Sequence, residues 1–107
     1  MVKINMGEIL ILEKQRFPVL VLSKEFFNDS GMIIACPIVK SASEDALHIS
    51  ICTKELSGIA LLEQLKSLDI NARHFKRSGQ ISYDQIQNIS DAVQGIFDYY
   101  PFSVLHR

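Results

Sequence analysis

This sequence predicts a mainly β domain, a small antiparallel barrel closed by one amphipathic C-terminal helix. Short apolar runs separated by turn residues occupy most of the chain before residue 80. Leu47, Ile49 and Ile51 alternate with His48, Ser50 and Cys52, the period of two that marks a half-buried strand. Near the end, Ile86, Ile89, Val93, Ile96 and Phe97 recur at three- and four-residue spacing, with Gln87, Asn88, Asp91 and Gln94 on the other side.

The elements follow in order. Gly7 to Leu12 is an apolar run that opens the domain as a buried strand, and Glu13 to Arg16 is a polar turn. Phe17 to Ser23 is the second strand. Pro18 belongs at its start or edge because proline cannot donate to a ladder. Asn28-Asp29-Ser30-Gly31 is a turn, and Met32 to Ile38 is a third strand completing an antiparallel meander. Val39 to Asp45 is polar and small and reads as an exposed loop. Turns are expected at Ser57-Gly58, ahead of the apolar Ile59 to Leu62, and at Ser78-Gly79. Ser82 with Gln85 resembles a capping box, so the helix is expected from Tyr83 to Asp98, and Pro101 forbids its continuation. Tyr99, Tyr100 and Phe102 either pack the helix onto the barrel or form a surface for a partner.

With 107 residues, 48% hydrophobic and 21% charged, the chain fits one domain (1–107) with one modest core. A formal net charge of −1 excludes broad electrostatic attraction to nucleic acid, so any RNA contact must come from a local basic patch. No signal-peptide pattern follows Met1, and no apolar stretch approaches the roughly 20 residues that span a bilayer. Both absences point to the cytoplasm. Cys36 and Cys52 lie in apolar runs and are expected as buried reduced thiols. His48, His74 and His106 are scattered and no Cys or His pair has ligand spacing, so neither a metal site nor a cofactor is expected.

Two segments carry candidate chemistry. In Leu61 to Asp69, the residues Glu63, Gln64, Lys66 and Asp69 crowd together. If that segment is extended, Glu63, Leu65 and Ser67 face one way and Gln64, Lys66 and Leu68 the other. A carboxylate beside a cation and an amide can abstract a proton and hold a phosphate. The same residues also read as a solvated strand end with an ion pair. Arg73-His74-Phe75-Lys76-Arg77 is a basic run with one aromatic, able to neutralise phosphates while Phe75 or His74 stacks on a base. By itself such a run is more often a solvated loop.

Taken together, these segments resemble the MazF/PemK family of endoribonuclease toxins from toxin–antitoxin modules. Gly7-Glu8-Ile9 is similar to the family's Gly-Glu/Asp-hydrophobic opening, and Pro18 to Ser23 resembles its proline-led hydrophobic strand. Leu62-Glu63-Gln64-Leu65-Lys66-Ser67-Leu68-Asp69, with Arg73 after it, resembles the family's Asp/Glu-Gln-x-Arg/Lys-Thr/Ser-Ile-Asp segment, the most specific of the three. The resemblance implies an SH3-like barrel, a homodimer, and a groove for single-stranded RNA that a cognate antitoxin also occupies.

For the site it implies Glu63 as the base that takes the ribose 2′-OH proton. Arg16, helped by Lys66, would stabilise the phosphoryl charge. Gln64, Lys66, Arg73, His74, Lys76 and Arg77 are the candidate RNA contacts. Several positions depart from the pattern. Phe17 stands at the family's catalytic Arg, with Arg16 one step earlier, and Val39 stands at its catalytic Thr or Ser. Leu61 replaces an Arg found in some members, and Glu13 to Arg16 replaces a longer loop. Three functions remain open on the sequence: a metal-free endoribonuclease toxin, a non-catalytic member of the fold that binds protein as CcdB does, and an unrelated small-barrel RNA-binding module.

Overall fold

The computed structural model of the protein describes residues 3–98; Tyr99, Tyr100, Pro101, Phe102 and His106 lie outside them. Seven strands form one antiparallel sheet: β1 (Glu8–Leu12), β2 (Val19–Val21), β3 (Met32–Val39), β4 (His48–Cys52), β5 (Ser57–Leu61), β6 (Lys66–Asp69) and β7 (Phe75–Gln80). The order is β4-β5-β3-β2-β1-β7, with β6 paired to β3 off that path. Among the described residues two α-helices complete the fold, α1 (Glu25–Asn28) and α2 (Tyr83–Phe97).

The expected meander of the first three strands is present, with Ile9 opposite Leu20 and Leu20 opposite Cys36. Side-chain alternation then sends the sheet's two faces into two cores. Leu10, Leu12, Val19, Val21, Ile33 and Ala35 fill one, where they meet Leu68 of β6 and Phe75 of β7. β6, paired to β3, and β7, paired to β1, lie on opposite sides of the β1–β3 meander and both contribute to this cluster, so the sheet curls into a half-barrel around it. Ile9, Leu20, Cys36 and Ile38 point to the other face, which the β4–β5 hairpin and α2 cover.

β3 organises the site. Its outer edge pairs with β6 over Met32–Ala35 and with β5 over Ile38–Val39. Ile38 N–H donates to Pro18 O at 2.8 Å, so by ladder alternation the nitrogen of Pro37 faces the seam between those partners. A missing donor costs nothing there, which is why an interior strand tolerates this proline.

α2 starts at Tyr83 as the sequence predicts, with the serine half of the capping box in place: Ser82 Oγ accepts from Gln85 N–H at 3.2 Å. The apolar stripe is buried only in part. Ile89 is fully buried and Ile86 and Val93 half-buried, while Ile96 and Phe97 are exposed. Ile89→Ala is therefore expected to cost about 2–5 kcal/mol, read as a lower urea midpoint with an unchanged slope. Among the described residues no helix is long and apolar enough to cross a membrane.

Four expectations are corrected. Ser57-Gly58 opens β5 instead of forming a turn: a Cβ on Gly58 would sit 2.7 Å from Val39 O, so glycine permits β5 to approach β3. The hairpin turn lies at Thr53–Leu56, where Thr53 Oγ1 accepts from Leu56 N–H at 3.1 Å. Ser78-Gly79 lies within β7, where Gly79 takes φ +140° beside the register shift at Ile9/Leu10, so the glycine serves a bulge. Cys52 is exposed, because Ile51 takes the inward position of β4. The segment at Glu63 is not extended; Leu62–Gln64 is a 3₁₀ turn. The short α1 was not foreseen. It buries Asn28, whose side-chain amide donates to Ile4 O at 2.7 Å and Ser23 O at 3.1 Å.

Candidate active site

The 3₁₀ turn at Leu62–Gln64 is the corner at which the chain leaves β5 and starts β6, moving from one end of β3 to the other. Leu62 is completely buried and anchors the corner, its N–H donating to Leu47 O at 2.9 Å. Tight winding around that anchor turns Glu63 and Gln64 outward. Below the corner lies Cys36, whose thiol is pushed up to about 12, first by burial and then by the negative charge of Glu63. It is an inert core group, not a nucleophile.

The register of the hairpin pairs His48 with Leu61 and so delivers His48 to Glu63. His48 Nε2 lies 2.9 Å from Glu63 Oε2, and His48 Nδ1 lies 2.7 Å from the Ser43 carbonyl oxygen. A carbonyl can only accept, so Nδ1 carries a proton. The hydrogen bond from His48 holds the Glu63 carboxyl below the usual carboxylate range, and the charge of Asp45 opposes that shift. Glu63 is thus an anion that can only accept as well, and the imidazole satisfies both neighbours only when doubly protonated. Its pKa is raised accordingly, by Glu63 first and the Ser43 carbonyl second, with Asp45 adding to them. The His48 side chain is 15% exposed and that of Glu63 41%, so the pair is open to solvent on the carboxylate side.

The loop after β3 joins this pair to a groove. Ser41 and Ala42 line a largely apolar groove together with Arg16, Phe17, Lys40 and Leu61, while Ser43, one residue on, holds His48. The Arg16 guanidinium lies 5.2 Å from the centroid of the half-exposed Phe17 ring. The groove therefore offers two cations, the hydroxyls of Ser41 and Ser57 and an aromatic face, and Leu61 in its lining is two residues from the paired carboxylate. Among the described residues no hydrogen bond or ion pair joins Arg16 to Glu63; the loop and Leu61 relate them.

The remaining sequence candidates lie elsewhere. Lys66 is on β6 and lines a different groove, with Ser67, Val93 and Phe97 along α2. The basic run lies at the β7 edge, on the far side of β2 and β1 from β3. There Arg73 donates to Asp69 O at 3.0 Å and Glu13 O at 3.3 Å, and His74 N–H donates to Glu13 Oε1 at 3.2 Å. Arg77 is ion-paired with the buried carboxylate of Glu8 and also donates to Lys3 O. Two of the run's three cations thus fasten the sheet edge, while Lys76 and the His74 ring face solvent. The basic run and Glu63 are not brought together.

Sequence reasoning missed His48, Lys40 and Ser41. A signal for His48 existed. A turn centred on Lys54-Glu55 would have set His48 opposite Leu61, two residues from Glu63.

No curated protein matches the sequence. Solved structures do match its fold. A MazE–MazF complex from Deinococcus radiodurans superposes with a TM-score of 0.81 at 21% identity, over 94% of this chain and all of that one. MazF alone from the same organism gives 0.78 at 19% identity, over 91% and 98%. A mycobacterial endoribonuclease in complex with its cognate antitoxin gives 0.77 at 13% identity, over 92% and 99%. Across residues 11–97, nearly the whole described structure, the sequence matches the family model of the PemK-like, MazF-like toxins of type II toxin–antitoxin systems, and the chain belongs to that family.

Proposed function

We propose that the protein is the toxin of such a pair and cleaves single-stranded RNA without a metal, leaving 2′,3′-cyclic phosphate ends. The observation that carries this reading is Glu63, an ionised carboxylate fixed at 2.9 Å from His48 and linked through Leu61 and the loop at Ser43 to the groove of Arg16, Lys40 and Ser41. In metal-free cleavage a base removes the ribose 2′-OH proton, the 2′-oxygen attacks phosphorus, and the 5′-oxygen leaves. Charge grows on the phosphoryl oxygens and needs donors already in place. Glu63 serves as the base and Arg16 with Lys40 as the donors, while Phe17 offers a face for a base of the RNA. Gln64, adjacent to Glu63, and Lys66, His74 and Lys76 supply contacts further along the strand.

The mycobacterial neighbours, described as endoribonucleases, one of them with its antitoxin, support the same reading. On it the chain acts in the cytoplasm as a homodimer whose groove a cognate antitoxin covers. Light scattering at micromolar concentration is expected to give twice the mass of one chain.

The decisive test is purified protein incubated with a mixed-sequence single-stranded RNA in EDTA. Cleavage with cyclic phosphate ends, blocked by the antitoxin, is the expected result. If every RNA stays intact while expression still arrests growth, the nuclease reading is wrong and a protein target takes its place.

A further inference from the structure

His48 has no counterpart among the residues that the family pattern supplied, yet it is the closest titratable partner of Glu63. Both of its ring nitrogens are held by acceptors, Ser43 O at 2.7 Å and Glu63 Oε2 at 2.9 Å. The arrangement stores a transferable proton on Nε2, directly beside the proposed base. Resting on the RNA-cleavage reading above, we propose that His48 is the general acid that protonates the leaving 5′-oxygen, and that its contact with Glu63 resets the site after each turnover.

The step balances. Glu63 takes the proton of the 2′-OH as the bond from the 2′-oxygen to phosphorus forms. The bond from phosphorus to the 5′-oxygen breaks, and that oxygen takes the Nε2 proton of His48. Glu63 is now protonated and His48 neutral. The carboxylic acid then passes its proton across the 2.9 Å contact to Nε2 and restores the carboxylate–imidazolium pair. No external proton carrier is needed. In-line displacement sets the entering and leaving oxygens a few ångströms apart on opposite sides of phosphorus, comparable with the separation of the two catalytic atoms. Each oxygen can therefore meet its own partner.

The pH dependence follows from the groups around His48. Glu63 faces it from the 3₁₀ turn and Asp45 from the preceding loop, where its carbonyl accepts His48 N–H at 3.1 Å. Both charges favour the imidazolium, and the Cys36 thiol under Glu63 stays neutral. Cleavage should therefore weaken on the acid side as Glu63 gains its proton, below the usual carboxylate range. On the alkaline side it should weaken as His48 loses its proton, above the ordinary imidazole value of about 6.5.

Two oligoribonucleotides of one sequence test the assignment, one with an ordinary scissile linkage and one with sulfur in place of the bridging 5′-oxygen. A thiolate leaves without a proton, so only the ordinary linkage needs the acid. On that linkage His48→Gln is expected to lose about a hundredfold in single-turnover rate and to lack the alkaline limb. On the sulfur linkage it is expected to cleave within a few-fold of wild type, whereas Glu63→Gln fails on both.

An equal loss for His48→Gln on both linkages would make His48 a positioning residue and overturn the proposal. A wild-type rate on the ordinary linkage would overturn it too. If the wild type cleaves neither substrate, the RNA-cleavage reading itself falls, an outcome distinct from the other two.

Discussion

Glu63→Gln is expected to reduce RNA cleavage by about 10³- to 10⁴-fold while leaving the fold intact, the upper part of what general base catalysis supplies. The amide keeps the shape of the side chain, and its oxygen can still accept from His48 Nε2 at the present 2.9 Å. It cannot take a proton at neutral pH, so attack by the 2′-OH loses its base. The substitution also removes the charge that favours the imidazolium, and the His48 pKa should fall back toward its ordinary value. Glu63 is not part of either core, and Leu62, which anchors the corner, is untouched. Thermal unfolding and antitoxin binding should therefore match wild type. Full cleavage by the variant at pH 7 would place the base elsewhere and detach the paired carboxylate from the chemistry.

The contrast between fold and site shows what the sequence could specify. Strands whose residues alternate against a core declare themselves, and so do a capped helix and its apolar stripe. β1 to β4 and α2 were legible for that reason. β7 was not: Phe75 is the one apolar side chain among its charged residues, as suits an edge strand whose charges discourage further pairing. Gly58 and Gly79 read as turns because glycine usually supplies positive φ there. In the structure one permits close approach of two strands and the other serves a bulge, demands that only tertiary pairing creates. The site divided along the same line. Glu63 stood out through its resemblance to a family segment. His48 and Lys40 become neighbours of the site only through the hairpin register and the path of the 40–47 loop. A charge run such as Arg73 to Arg77 looks like a ligand surface until its partners are seen. Glu8 needs Arg77 because a buried carboxylate left unpaired is costly, a demand set by the strand across from it.

The second large effect is expected at the groove. Arg16→Ala should lower the single-turnover rate by about 10²- to 10³-fold, the range for deleting one donor to transition-state charge. Its stability cost should be small, because an exposed guanidinium over a ring contributes only about 0.5–1 kcal/mol. Arg16→Lys should recover only part of the rate, since an ammonium is a point charge without the planar fork that grips two phosphoryl oxygens. Lys40→Ala should cost less than Arg16→Ala. The double variant should lose less than the product of the single losses if both cations serve the same phosphoryl group. Salt provides a separate check. Each phosphate contact removed should lower the slope of log affinity against log salt by about 0.7 for a single strand. Lys66→Ala serves as the contrast, because Lys66 lines the groove along α2 and not the one at Arg16. It should weaken RNA binding and flatten the salt slope while leaving the rate at saturating RNA unchanged. If Lys66→Ala instead lowers that rate as much as Arg16→Ala does, the phosphoryl group undergoing cleavage lies over β6. Arg16 would then be a binding contact only.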